Sequence, residues 1–189
     1  ALLELTGQGL ILVDGAITDP VPFEIKVSEF SLDNKALSFG ARQTGSLSAG
    51  QQHRYTFTGS FGQKGYYDAL EADFDNVNVR LVSPSGTQLA AGNSDYDFGP
   101  LTLTENGTYE LLLDSNTDAT ADYAFRLLDL AAAPALTLDT TLGGTLNPPG
   151  AGNDYQAVLY RYDTIRNLRL YLDGLGSDAN ATWTLYGAD

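Results

Sequence analysis

The chain has 189 residues, 43% of them hydrophobic, with 10 Lys plus Arg against 24 Asp plus Glu and a net charge of −14. That is enough apolar content for a packed core, while the sign of the surface excludes nucleic acid and anionic membranes as partners, since phosphates and acidic headgroups repel it. With no Cys there is no disulfide, thiolate metal site or cysteine nucleophile, and no run of about 18 apolar residues is present for insertion into a bilayer.

In chain order, period-two alternation of β-branched and aromatic residues predicts strands at Leu10 to Val13, Phe23 to Val27, Tyr55 to Phe57, Val77 to Leu81, Tyr109 to Leu113 and Tyr123 to Leu127. Turn signals separate them at Pro84-Ser85-Gly86, Ala91-Gly92-Asn93 and Glu105-Asn106-Gly107. Helical periodicity is nearly absent, so the expected class is all-β, an antiparallel sandwich. The lack of Met and of a basic-then-apolar leader at Ala1 fits either a processed secreted protein or an excerpt of a longer one. Few Lys and many Asp, Asn, Thr, Gly and Tyr point to a secreted or cell-surface bacterial protein.

The chain also repeats itself. LSFGARQTGSL at 37–47 returns as LTLDTTLGGTL at 136–146, and the order is then kept: RYTF at 54–57 by LYRY at 159–162, YYDAL at 66–70 by YLDGL at 171–175, VRLVSPS at 79–85 by WTLYGAD at 183–189. The beginning matches the back of the same unit, GQGLILVDG at 7–15 lying over GTYELLLDS at 107–115 and PFEIKV at 22–27 over AFRLLD at 124–129. Residues 1–32 therefore read as the C-terminal part of a repeat, 33–130 as one complete repeat, and 131–189 as the N-terminal part of another.

The middle series GSL, HRYTF, VRLVSPSGTQLA, ENGTYELLLDS and YAFRLLDL resembles the bacterial pre-peptidase C-terminal domain. The resemblance implies jelly-roll-like β-sandwich repeats of the kind found in secreted proteases and large cell-surface proteins, some of which bind calcium. Its motifs are diffuse strand patterns, and it implies no catalytic residue.

No nucleophile elbow, phosphate loop or zinc-protease motif occurs in a useful context, and the single His, His53, reads as a surface residue at a strand edge. The expectation is a protein without catalytic residues. Calcium is the candidate cofactor, because hard cations take several oxygens from loop carboxylates and amides. Its candidate ligands are Asp73, Asp75 and Asn76 in one loop, beside Glu71, and Asp95 and Asp97 in another, beside Asn93; solvated carboxylates that blunt sheet edges are the alternative. Asp68 and Asp173 recur at one place in the repeat, as do Asp14 and Asp114, and read as caps at strand-to-turn junctions. Asn106-Gly107-Thr108 and Asn180-Ala181-Thr182 read as turns before glycan acceptors. Tyr66, Tyr67, Tyr160, Tyr162, Tyr171, Tyr186 and Trp183 read as sheet packing before a sugar platform.

The two partial units are complementary, and each carries a row of apolar residues that needs a partner sheet. Exposing the dozen large apolar side chains of the first 30 residues would forgo on the order of 20 kcal/mol. The expected assembly interface is Leu10, Ile11, Leu12, Val13, Phe23 and Ile25 on one side and Leu170, Leu172, Trp183 and Leu185 on the other. The expected partner is the protein itself, as a head-to-tail homopolymer, or adjacent repeats of a longer surface protein. The alternative is a substrate- or carbohydrate-binding module of a secreted hydrolase, with an extracellular glycan or protein as its partner.

Overall fold

The computed structural model describes residues 10–14, 22–27, 31–70, 77–115, 117–146, 157–163, 169, 171–175 and 181–186. Nine strands run through its middle: β1 (Ser31–Ala36), β2 (Gln43–Leu47), β3 (Gln51–Gly59), β4 (Lys64–Ala69), β5 (Val77–Val82), β6 (Gln88–Asn93), β7 (Phe98–Thr102), β8 (Gly107–Ser115) and β9 (Ala121–Asp129). A short 3-10 turn, Leu130–Ala132, follows and is capped by the Asp129 carboxylate, which accepts the Ala131 N–H. The class is all-β.

The strands form two sheets, ordered β1-β3-β8-β5-β6 and β2-β9-β4-β7. Every pairing is antiparallel except β1 with β3. The exception has a topological cause: between β1 and β3 the chain crosses to the other sheet as β2, so it returns to the first sheet in the direction it left. The antiparallel sandwich expected from the sequence thus carries one parallel pair, at this edge.

Alternation decides which residues fill the space between the sheets. Along β3, His53, Tyr55 and Phe57 are buried while Arg54 and Thr56 between them are half-buried, and β5 and β8 repeat the pattern with Val77, Val79, Leu81 and Tyr109, Leu111, Leu113. Aromatic rings dominate the centre. The Phe125 ring lies 5.1 Å from that of Tyr67, stacked, and 5.2 Å from that of Tyr55, edge-on, and Tyr67 stacks in turn on Phe98 at 4.4 Å.

One glycine is dictated by this packing. Gly45 on β2 pairs across to Tyr123 on β9, and a Cβ at Gly45 would sit 2.3 Å from the Tyr123 hydroxyl oxygen. The ring lies across the glycine, and its hydroxyl meets His53 Nδ1 at 2.5 Å and the Tyr55 hydroxyl at 2.8 Å.

Candidate assembly surface

The flanking segments present their apolar residues to solvent. Leu10, Ile11, Leu12, Val13, Phe23 and Ile25 are exposed, Leu10 to 93%. Leu172, Trp183 and Leu185 are exposed as well, Trp183 to 67% and Leu185 to 80%. Leu170 lies outside the described residues. Within 10–14, 22–27, 171–175 and 181–186 no described residue belongs to a strand.

Between β9 and these segments, one backbone bridge resembles a pairing within the sandwich. Ala135 and Arg161 form a parallel bridge, with Leu136 N–H donating to the Arg161 carbonyl at 2.7 Å and Arg161 N–H to the Pro134 carbonyl at 2.8 Å. In the sandwich the same relation joins Ala36 to Thr56, with Leu37 N–H donating to the Thr56 carbonyl at 2.9 Å. Ala135 lies 99 residues after Ala36 and Arg161 lies 105 after Thr56, the displacements at which LTLDTTLGGTL and LYRY match their counterparts. The turn that follows is reproduced too. Gly40 has φ of 78°, and Asp139, 99 residues later, is the one described non-glycine residue with positive φ, at 59°.

Asp68 does not cap a strand end. It lies within β4 directly opposite Arg126 of β9, on the face of the second sheet turned away from the core, and the pair is buried, with side chains 0% and 7% exposed. Arg126 donates from Nε to Asp68 Oδ2 at 2.8 Å and from Nη2 to the same oxygen. Ala157 completes the group, its N–H donating to Asp68 Oδ1 at 3.1 Å and its carbonyl accepting from Arg126 Nη2 at 3.1 Å. Asp114 likewise lies inside its strand, β8, where its carboxylate receives Arg80 at 3.1 Å.

The calcium candidates are only partly placed. Asp73, Asp75 and Asn76 lie outside the described residues. Asp97 accepts the Ala69 N–H at 2.8 Å through one oxygen and the Tyr66 hydroxyl at 3.2 Å through the other, so it ties the loop to β4. Burial pushes its carboxyl above the ordinary range, which these two donors oppose. Asp95 begins with its N–H on the Asn93 side chain at 3.0 Å, a local Asx turn. Among the described residues no group of three or more His, Cys, Asp or Glu is disposed to hold a metal.

His53 is not a surface residue but 3% exposed, on the inward face of β3. The alternation His53, Tyr55, Phe57 carried that signal. Burial pushes its imidazole below the ordinary 6.5, with Lys35 adding to the shift and Asp33, 3.8 Å from Nε2, opposing it. The neutral ring's contribution to stability is therefore complete above pH 6.5 and lost as pH falls through the lower folded value. Asp68 works in the other direction. Burial pushes its carboxyl from 3.8 up to about 6, against the pull of Arg126, so its contribution is present below 3.8 and lost as pH rises through about 6. Thermal melts followed by circular dichroism at pH 7, 6 and 5 separate the two. His53→Gln gains melting temperature relative to the parent on acidification, and Asp68→Asn loses it; parallel profiles for all three proteins would contradict both assignments.

No family model matches the sequence, and no curated protein matches it. Among solved structures, the chain is similar to the periplasmic inhibitor of g-type lysozyme PliG from Aeromonas hydrophila, at 14% identity and a TM-score of 0.45, over 53% of this chain and 99% of that one. PliG from Salmonella Typhimurium is 21% identical with a TM-score of 0.40, over 51% of this chain and 98% of its own. The pre-peptidase C-terminal domain of collagenase from Bacillus anthracis is 15% identical with a TM-score of 0.40, over 54% and 99%.

Proposed function

We propose that the chain is a non-enzymatic, extracellular β-sandwich protein that associates head to tail, residues 131–189 of one copy and 1–32 of the next building a composite sandwich on the plan of residues 33–130. The observation that carries this reading is the bridge from Ala135 to Arg161, which stands in the register of Ala36 on Thr56 and so supports a second unit on the plan of the first.

The inward positions of the sandwich supply the second support. Leu146, Val158, Tyr160, Leu172, Trp183 and Leu185 fall where Leu47, His53, Tyr55, Tyr67, Val79 and Leu81 are buried. Ile11, Val13, Phe23 and Ile25 fall where Leu111, Leu113, Phe125 and Leu127 are. Both flanking segments are apolar at the positions that a sandwich of this plan encloses, and all ten of these residues are exposed, which supports the reading that each segment packs against the complementary segment of a second copy. Strand addition of this kind satisfies open backbone edges along with the side chains. Association costs about 4–15 kcal/mol in lost freedom, and burial of apolar faces on this scale exceeds it. A contact of this type is heterologous, and where its rotation does not close into a ring the product is a filament.

Sedimentation velocity tests the reading. The full chain forms species that grow with concentration, and Phe23→Asp remains a monomer with an unchanged β spectrum. A parent chain that stays monomeric at every concentration would overturn it.

A further inference from the structure

The Asp68–Arg126 pair does something that an apolar pair in its place would not. Two charges on the outer face of a sheet are withdrawn from water, a cost that hydrophobic residues of similar volume avoid. In exchange, the pair presents one acceptor and one donor at the spacing of a single residue's N–H and carbonyl, and it binds both groups of Ala157.

The repeat explains why Ala157 needs them. Its counterpart in the first unit is Gln52, whose ladder neighbour is Leu32 on β1. The residue 99 positions after Leu32 is Ala131, which lies in the 3-10 turn Leu130–Ala132 and extends no strand. The parallel edge that begins at Ala135 and Arg161 therefore stops short of Ala157, and its backbone groups would otherwise be left open.

We propose that Asp68 and Arg126 form a clamp between units, their side chains replacing the missing strand edge at Ala157 and docking residues 157–163 on the outer face of β4 and β9. The partner it fits is chemically plain: the exposed backbone edge of a strand, read through one N–H and one carbonyl. The clamp sets where the second unit stands on the first, and so the pitch of an assembly built from them. Residues are positioned here, and no reaction is implied.

The inference rests on reading residues 131–189 as the front of a second unit, and it is tested on the full chain at a concentration too low for association, so failure to assemble leaves the result intact. Amide hydrogen exchange is followed at Ala157 and at Leu111 in the core of the sandwich, for the parent, for Asp68→Asn, and for the reversed pair Asp68→Arg with Arg126→Asp. The reversed pair keeps opposite charges together but exchanges the donor for the acceptor. We expect Ala157 to exchange faster by about ten- to a hundredfold in the reversed pair, the factor carried by a charge-assisted hydrogen bond, with Leu111 unchanged. Should the reversed pair disturb Leu111 as well, Asp68→Asn gives the reading, with Ala157 accelerated and Leu111 protected. Unchanged exchange at Ala157 in Asp68→Asn, or loss at both amides together in both variants, would overturn the clamp and leave the pair a support of the sandwich alone.

Discussion

Phe125→Ala lowers the unfolding free energy by about 3–5 kcal/mol. Phe125 is fully buried on β9, between β2 and β4, and its ring is contacted by those of Tyr55, Tyr67 and Tyr123 at centroid distances of 5.2, 5.1 and 6.1 Å. Truncation removes the transfer free energy of the ring and leaves a cavity whose walls are other rings. Those walls collapse poorly, because Tyr67 is also stacked on Phe98 and bonded through its hydroxyl to the Ser94 carbonyl at 3.3 Å. Urea denaturation reads the loss as a lowered midpoint at constant slope. A change below about 1 kcal/mol would place Phe125 at a site that relaxes freely, contrary to this packing.

Gly45→Ala is the second large effect, at about 2–6 kcal/mol, although it adds a single carbon. The new Cβ would meet the Tyr123 hydroxyl oxygen at 2.3 Å and Cζ at 2.5 Å, so the ring has to leave its place. Overpacking of this kind costs about 1–3 kcal/mol. Moving the ring also separates its hydroxyl from His53 and Tyr55, and a buried polar group left without a partner costs about 1–3 kcal/mol more. Gly144 is the natural control, because it lies 99 residues later in the repeat and has no atom within 4 Å of a built Cβ. Gly144→Ala leaves the monomer within about 0.5 kcal/mol of the parent, so equal losses at the two glycines would refute the role given to the Tyr123 ring.

The sandwich was legible in the sequence wherever a local pattern carried it. Alternation located β3, β5, β8 and β9, and the tyrosines read as packing include Tyr67, which is wholly buried. What stayed hidden was set by distant partners. Asp68 looked like a cap because it precedes a turn, whereas its role depends on Arg126, 58 residues away, and on the register that places β4 beside β9. The tie of Asp97 to β4 was hidden in the same way, since the Ala69 N–H and the Tyr66 hydroxyl that it receives are connected to it by no short-range pattern. His53 is the instructive case, since the alternation that buries Tyr55 and Phe57 applies to it equally, against the reading of it as a surface residue at a strand edge. The parallel course of β1 follows from the sheet to which β2 belongs, a choice that strand propensity does not encode.

Complementation of the ends is tested most directly by two variants that each disable one of them. Phe23→Asp spoils the beginning of the chain and leaves its end intact; Leu185→Asp does the reverse. Each alone is expected to sediment as a monomer of 20.2 kDa. Mixed in equal amounts, they are expected to form a 1:1 dimer of twice that mass and nothing larger, because one live end meets one live beginning and no free interface remains. A mixture that stays monomeric, or a single variant that still polymerises, would contradict the composite sandwich.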